Sequence, residues 1–174
     1  MKLLGAIIAG GKATRFGADK AAALLDGRPL IEHVADALGH QTDAVIVCGR
    51  LWPGLETVWD HPAPDLGPLG GLCGALHHAA AGGFDAVLTA GCDVLPIPES
   101  LATDLGHGPA CIAQQRLIGL WPITLATLLD EYLRTSSDRS IRQWLKHCNA
   151  MEIHLPIAFH NINTVADLAQ LSHD

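Results

Sequence analysis

The sequence has no excess of basic residues. It contains 11 lysines and arginines against 18 aspartates and glutamates, which gives a formal net charge of -7 at pH 7. Proteins that coat nucleic acid or bind an anionic membrane need a broad basic surface, so we expect neither kind of partner. A site for an anionic ligand must therefore be local and built from a few cations.

Long hydrophobic runs and targeting signals are also missing. The apolar run after Lys2 breaks at glycines, with no cleavage-type region and no lipidation motif, so export is not expected. A content of 49% apolar and 17% charged residues is typical of a soluble globular protein. The 174 residues contain no internal repeat, low-complexity tract or linker, and we expect a single domain over residues 1–174.

Paired cysteine motifs are absent as well. The five cysteines stand apart and never form C-x-x-C, so neither a disulfide framework nor a four-thiolate zinc site is expected. Reduced thiols and a cytoplasmic location fit this pattern best. Cys73 lies one helical turn before His77, a spacing that could begin a metal site, but no second pair of ligands is visible.

Short apolar runs alternate with helix-like segments along the first two thirds of the chain. Continuously apolar runs are typical of strands buried on both faces, and these runs are residues 3–8, 43–49, 56–60, 85–91 and 109–114. Helical spacing is found in residues 29–40, with Pro29 at the predicted first helical position, and in residues 69–81, which end at two glycines. This alternation predicts an α/β fold in which helices cover both faces of a parallel sheet.

The last third of the chain is less regular. We expect a strand over residues 116–121, helices over residues 123–133 and 137–147, and one more strand over residues 151–156. This part should fold onto the same sheet. Thr164 and Asp167 form a capping-box pattern for a short final helix, which places residues 161–163 in the loop before it.

The first predicted strand ends in a glycine turn crowded with positive charge. Residues 7–22 read IIAGGKATRFGADKAA. Gly10 and Gly11 lack a Cβ, so backbone N–H groups there can close on a phosphate, and Arg15 and Lys20 can add charge-assisted hydrogen bonds. Ligands of open parallel sheets bind beyond the carboxyl ends of the strands. The motif therefore predicts a polyphosphate site.

Two common phosphate-binding loops do not match this turn. A Walker loop needs a glycine five residues before its G-K and a hydroxyl after it, and Ala6 and Ala13 occupy those positions. The glycines at 10, 11 and 17 do not supply the G-x-G-x-x-G of a dinucleotide-binding loop. The turn is therefore a third kind of phosphate loop.

Several motifs together resemble one family. A-G-G-x-x-x-R-F-G-x-D-K-A followed by L-x-G-R-P-L-I-E-H-V is similar to the opening of molybdenum cofactor guanylyltransferases, within the wider nucleotidyltransferase group. The resemblance continues in GPLGGL (67–72), CDVLPIP (92–98), GLWP (119–122) and FHNINTVADL (159–168). It implies a Rossmann-like three-layer sandwich with a mixed, mostly parallel central sheet.

The resemblance also implies an activity. Members of this family transfer GMP from GTP to the terminal phosphate of molybdopterin, with magnesium as cofactor and release of pyrophosphate. GTP, molybdopterin and molybdenum-cofactor-handling proteins are the implied partners. The resemblance places the backbone of Ile8, Ala9 and Gly10 against the nucleotide, and Lys20 and Arg15 are the cations expected to stabilise the departing pyrophosphate.

Asp93 is the candidate metal ligand. It comes after the predicted strand VLTAG, at the sheet edge where the first loop also lies, and a carboxylate is a suitable hard ligand for Mg²⁺. The resemblance gives it that role. A turn-capping aspartate is the structural alternative.

Asp60 is the candidate for reading the base. A carboxylate can accept hydrogen bonds from N1 and the exocyclic amine of guanine, an arrangement that adenine does not offer. The resemblance places Asp60 in contact with GTP, and a strand-end turn aspartate is the alternative. Cys48 departs from the family, because members can carry asparagine there to help read the base.

Other candidates are weaker. The glycines of GPLGGL would let the nucleotide approach the N-terminal end of the following helix, or serve packing alone. Asn161 and Asn163 are candidates for binding the acceptor substrate, since their amides can bind a metal, a pterin edge or the turn backbone. Further candidates on the acceptor side are Arg116, Arg139 and Arg142 for its phosphate and Trp121 for its pterin ring.

Two rival functions remain open. One is a related nucleotidyltransferase, either a cytidylyltransferase for the same pterin or an enzyme that uses a sugar phosphate. The other is a nucleotide-binding domain without turnover, against which the combination of Lys20 and Asp93 argues, because a pure binder has less need of a metal carboxylate.

Overall fold

The computed structural model describes residues 1–10, 19–163 and 166–168. Its strands, in chain order, are β1 (Leu3–Ile8), β2 (Leu24–Leu25), β3 (Arg28–Pro29), β4 (Ala44–Cys48), β5 (Glu56–Val58), β6 (Ala86–Gly91), β7 (Val94–Leu95), β8 (Ala110–Ile112), β9 (Gln115–Pro122), β10 (Met151–Ile153) and β11 (His160–Asn161).

Five α-helices connect these strands in the described ranges: α1 (Leu30–Gly39), α2 (Pro68–Ala81), α3 (Leu101–Leu105), α4 (Ala126–Thr135) and α5 (Ile141–His147). Two 3₁₀ turns, Lys20–Ala22 and Ile123–Leu125, precede β2 and α4. None of the helices described here combines the length and the apolar character needed to cross a membrane.

Seven strands form one mixed sheet in the order β10-β8-β9-β6-β1-β4-β5. The central strands β6, β1, β4 and β5 are mutually parallel, as the alternation of apolar runs and helices predicts. Strand β9 is antiparallel to both of its neighbours. Only two residues join β8 to β9, and so short a connection can make a hairpin but not a parallel crossover.

The two large clusters of the core lie on opposite faces of the sheet, and a smaller third cluster joins Leu25 and Leu30 to Ile162 and Leu168. Leu4, Ala6 and Ile8 of β1 belong to the large cluster that includes α2 and α4, whereas Leu3 and Ile7 belong to the one that includes α1 and α3. Successive side chains of a strand point to opposite faces, so a strand covered on both sides must be apolar throughout. This three-layer arrangement confirms the predicted fold class.

Several local predictions need correction. Helix α1 begins at Leu30, because Pro29 has an extended ψ of 140° and pairs with Leu24 in a small hairpin. Asn161 lies in strand β11 rather than in a loop, where it pairs antiparallel with Val94. Residues 166–168 are helical, as the capping pattern predicts, while Thr164 lies outside the described residues.

Trp121 is part of the core. Its side chain is fully buried, and its indole Nε1 donates a 2.8 Å hydrogen bond to Oγ1 of Thr89. It pairs in register with Val87, near the start of β6 and away from the carboxyl edge of the sheet. The expectation that Trp121 meets a pterin ring is therefore wrong.

Replacing Thr89 with valine tests this structural role. The change leaves the Trp121 indole N–H without the hydroxyl that accepts its hydrogen bond, so we expect the free energy of unfolding to fall by about 1–3 kcal/mol. Urea unfolding of the parent and of T89V measures the difference. The control T103V makes the same change at an exposed position of α3 and should differ from the parent by less than about 0.5 kcal/mol. Equal stability of T89V and the parent would contradict the assignment.

Candidate active site

A cavity of about 480 Å³ opens at the carboxyl edge of the parallel strands. Its lining comes from the loops after β1, β4, β5 and β6, from the start of α2 and from the C-terminal segment. The lining residues are Ile8, Ala9, Gly10, Asp19, Lys20, Ala21, Cys48, Arg50, Asp60, Gly67, Pro68, Gly71, Cys92, Asp93, Leu117 and Asn163.

Strand register brings these loops together. Ile8 is level with Cys48 of β4 and with Gly91 of β6, and Cys48 is level with Val58 of β5. When parallel strands end at the same level, the residues that follow them lie together at one edge of the sheet. This edge is where ligands bind in open α/β sheets.

Two of these loops touch through their backbones. Ala9 N–H donates to the carbonyl of Cys48 at 3.1 Å, and a Cβ on Gly49 would lie 2.6 Å from Cα of Gly10. Gly49 also has φ +82°, a left-handed conformation that favours glycine. The two loops are too close for a side chain to fit between them. Ile8, Ala9 and Gly10 therefore lie against the cavity along their backbone.

Lys20 is held between two acceptors at the mouth of the cavity. Its Nζ lies 3.1 Å from Oδ2 of Asp93 and 2.8 Å from Oδ1 of Asn163. The Lys20 side chain is only 20% exposed and that of Asp93 30% exposed. Two of the three predicted catalytic residues, Lys20 and Asp93, therefore meet in a part-buried ion pair.

The C-terminal segment is tied to this point by backbone bonds. Strand β11 pairs with β7, and Ile162 N–H donates to the carbonyl of Asp93 at 2.8 Å. Asn163 N–H donates to Oδ2 of Asp167 at 2.8 Å. The structure thus brings Asn163 into the cavity wall, whereas Asn161 lies in β11 and is not among the lining residues.

Arg50 is a cavity residue that sequence reasoning missed. Its guanidinium forms a bidentate ion pair with Asp19. Nη1 donates to Oδ1 at 2.6 Å, and Nη2 donates to Oδ2. The hydrogen bond from Arg50 lowers the pKa of Asp19, which stays ionised and also caps the 3₁₀ turn of Lys20 through Ala21 N–H. Arg50 lies two residues beyond the end of β4. The rule that ligands bind beyond the carboxyl ends of parallel strands could therefore have predicted it.

Asp60 occupies another part of the wall, beside Cys48. Its Oδ2 accepts a 3.2 Å hydrogen bond from Leu66 N–H. Burial raises the pKa of Asp60 and the Leu66 bond lowers it, with a net upward direction. Burial and the charge of Asp60 raise the pKa of Cys48 to about 12, so Cys48 presents a neutral thiol at this wall.

The N-terminal end of α2 completes the wall. Gly67 precedes the helix with φ +69°, Pro68 opens it, and both line the cavity together with Gly71. Pro68 has no N–H and the Gly70 N–H donates to the Gly67 carbonyl at 3.0 Å, so α2 offers an anion mainly the partial positive charge of its N-terminal end. The predicted role of GPLGGL as a cavity segment agrees with this placement.

The remaining sequence candidates fall elsewhere. Gly11 and Arg15 lie outside the described residues. Arg116 and Arg142 line a separate surface pocket, in which Arg116 is paired with Glu152. Arg139 is not among the residues that line either pocket.

Asp93 and Asn163 fit a hard cation. A carboxylate oxygen and an amide oxygen both approach the Lys20 ammonium within 3.1 Å, so the oxygens point to one place at the cavity mouth. Oxygen donors of this type, completed by phosphate oxygens and waters, are the ligands that Mg²⁺ prefers.

Comparison with known proteins identifies the family. A family model described as MobA-like NTP transferase domain matches residues 5–152. A molybdenum cofactor guanylyltransferase from Cereibacter sphaeroides is 36% identical in an alignment that covers 98% of this chain and 95% of that protein. One from Rhizobium leguminosarum bv. trifolii is 30% identical in an alignment that covers 97% of this chain and 91% of that protein.

Solved structures share the fold. Molybdopterin-guanine dinucleotide biosynthesis protein A from Archaeoglobus fulgidus superposes with a TM-score of 0.74 at 21% identity, covering 98% of this chain and 97% of that one. CTP:phosphocholine cytidylyltransferase from Streptococcus pneumoniae superposes with a TM-score of 0.66 at 16% identity, covering 99% of both chains. At these identities the likeness concerns the fold alone. The family match over most of the chain confirms the resemblance found in the sequence motifs, and the chain belongs to the MobA-like NTP transferases.

Proposed function

We propose that this protein transfers GMP from GTP to the terminal phosphate of molybdopterin and releases pyrophosphate. The names of relatives at 30–36% identity support the reaction. The observation that carries the proposal is the position of Lys20, whose Nζ lies 3.1 Å from Asp93 and 2.8 Å from Asn163 at the mouth of the cavity. A cation, a carboxylate and an amide are thereby gathered where a triphosphate would enter.

The phosphates would bind at the Lys20 side of the cavity. The backbone of Ile8, Ala9 and Gly10 leaves room for close approach, and the N-terminal end of α2 adds partial positive charge. Arg50 adds a second cation, held in place by Asp19. In the transfer, an oxygen of the acceptor phosphate bonds to the α-phosphorus while the bond to pyrophosphate breaks, so Lys20 has to stabilise the negative charge that leaves.

Asp93 would hold Mg²⁺, with Asn163 beside it. When bound, the ion supplies positive charge to the phosphate oxygens during the transfer. The ion pair with Lys20 keeps the Asp93 carboxylate oriented toward the cavity before the nucleotide binds. These two residues thus prepare the site, and no covalent bond between the protein and the nucleotide is needed.

The base would bind near Asp60. An ionised carboxylate there can accept from N1 and the exocyclic amine of guanine, while the Leu66 N–H bond holds its other side. Cys48 lies beside Asp60 as a neutral thiol and offers a weak donor to a carbonyl oxygen. This arrangement supports guanine as the base.

A nucleotide assay tests the proposed reaction. The full-length protein is incubated with molybdopterin, Mg²⁺ and either GTP, CTP or ATP, and pyrophosphate release and the pterin product are measured. We expect product with GTP alone. Product with CTP alone would show that the enzyme is specific for cytosine and not for guanine. GTP binding without product would indicate a nucleotide-binding domain that does not catalyse transfer.

Asp60 makes GTP binding depend on pH. Because its pKa is raised, this carboxyl takes up a proton at a higher pH than an aspartate in water, and the protonated form cannot accept both guanine hydrogen bonds. We therefore expect GTP affinity to fall as the pH falls through the raised pKa. D60N should bind GTP more weakly and lose this part of the pH dependence, while the titration of the phosphates remains in both proteins.

Isothermal titration of GTP into the parent and D60N over a series of pH values measures this effect. The ratio of the two affinities isolates Asp60, since phosphate protonation affects both proteins equally. A ratio that stays constant with pH would remove Asp60 from base recognition.

A reducing cytoplasm is the proposed location, and proteins that supply molybdopterin or receive the product are the proposed partners. All five cysteines are free in the structure, which fits a reducing compartment. Cell fractionation checks the first point, because recovery of the protein from a secreted fraction would contradict it.

A further inference from the structure

A second group of potential ligands lies behind the wall that carries Asp60. His61 comes directly after Asp60, His77 lies on the third turn of α2, and Asp130 lies on α4. The sequence separates these residues, but the packing of α2 against α4 brings them together. All three side chains are half-buried.

The geometry of the three side chains matches a metal site. One ligand atom from each residue can be chosen so that all three lie within 4.8 Å of one another. Nε2 of His61 is 3.5 Å from Oδ1 of Asp130, which is too long for a good hydrogen bond. The two imidazole rings lie with their centroids 4.4 Å apart at an interplanar angle of 53°.

His77 has an unused nitrogen at this place. Its Nε2 is enclosed by protein, and no hydrogen-bond partner is found for it among the described residues. An enclosed polar atom without a partner costs free energy, and such atoms in native proteins call for an explanation such as an ion or a water. A cation between His61, His77 and Asp130 would use this nitrogen.

We propose that His61, His77 and Asp130 bind one divalent transition-metal ion of the Zn²⁺ class. Two imidazole nitrogens and one carboxylate oxygen form a donor set that suits Zn²⁺, with a fourth position left for water. Mg²⁺ prefers oxygen ligands, so this site differs in chemistry from the one at Asp93. The ion joins the loop after β5 to α2 and α4.

The charged neighbours are compatible with the ion. Arg134 Nε donates to Oδ1 of Asp130 at 3.0 Å, but a carboxylate has two oxygens with about four acceptor positions and can bind both groups. The Arg134 side chain is 57% exposed, so water screens its charge. Cys73, one turn before His77, is buried and is not part of the group.

A metal that binds the folded chain must stabilise it. An ion held by three elements of the native structure binds the unfolded chain more weakly, so the melting temperature should rise with Zn²⁺ concentration. This readout does not depend on nucleotide transfer, so the metal proposal can fail while the proposed function stands.

The test uses the untagged full-length chain after removal of metals with a chelator. Zn²⁺ is titrated calorimetrically, and Co²⁺ is titrated by its visible absorption. We expect one equivalent of either ion per chain and a higher melting temperature with Zn²⁺. H77Q and D130N should each weaken binding by at least about tenfold, a loss seen even for residues that only support a ligand.

H78Q is the matched control. His78 is the next residue of α2 and lies 3.8 Å from Glu56, outside the group, so its replacement should leave affinity and stoichiometry unchanged. Thermal melting of the metal-free variants shows whether each is folded. If H77Q does not fold, D130N alone provides the test. Absence of binding to the parent, binding by H77Q and D130N equal to that of the parent, or an equal loss in H78Q would each overturn the proposal.

Discussion

Replacement of Asp93 by alanine is expected to reduce guanylyl transfer by at least about 100-fold, the scale of losing one group that stabilises charge in a transition state. Asp93 is the carboxylate at the cavity mouth, and its loss removes both the proposed ligand for Mg²⁺ and the partner that orients Lys20. The side chain is half-buried in a turn after β6 rather than in the core, so the fold should survive. Steady-state pyrophosphate release at saturating GTP, with circular dichroism of the variant, measures both expectations.

D36A provides the control for this change. Asp36 is an exposed carboxylate on α1 that pairs with Arg28 at 2.8 Å, and it is not among the residues that line the cavity. Its replacement also breaks an ion pair but should leave transfer unchanged. Transfer by D93A at the rate of the parent would exclude Asp93 from the mechanism.

Replacement of Lys20 by alanine is expected to weaken GTP binding by about tenfold and to slow transfer by about 100-fold. The ammonium is the described cation closest to Asp93, and it has to stabilise charge that grows as pyrophosphate leaves. Its effect on the rate should therefore exceed its effect on binding, since only part of that charge is present in bound GTP. GTP titrations and single-turnover transfer rates separate the two effects.

K2A is the matched control for Lys20. Lys2 precedes β1, at the opposite edge of the sheet, where its Nζ bonds to the carbonyl of Gly82 and lies over the ring of Phe84. Its loss should change neither GTP affinity nor transfer. The double variant K20A/D93A should be little slower than D93A, because residues that act as a unit are not additive. Identical GTP titration curves for K20A and the parent would contradict the assignment.

The central part of the fold is predictable because two simple signals coincide there. Continuous apolar runs ending near glycine mark β1, β4 and β6, and parallel strands place the loops at their carboxyl ends along one edge. Lys20 and Asp93 can therefore be assigned to one site although 73 positions separate them. Arg50, which lies two residues beyond Cys48, can be assigned to the site in the same way, because it follows the carboxyl end of β4.

Other features cannot be predicted from a single sequence. Helix α3 has only five residues, too few to show a helical period, and the two residues between β8 and β9 carry no visible turn signal. The bond from Lys20 to Asn163 joins positions 143 residues apart, and it depends on how β11 pairs with β7. His61 and Asp130 show no spacing that links them to His77, since they meet only through the packing of α2 on α4.

The proposed nucleotide cavity joins residues that are far apart in the sequence, since Ile8 and Asn163 both line it. A nascent chain on the ribosome has exposed Ile8 and Lys20 long before residue 163 leaves the exit tunnel. Until that residue is available, the Lys20 ammonium lacks its amide partner. The full set of contacts around Lys20 therefore forms only after residue 163 has been synthesised.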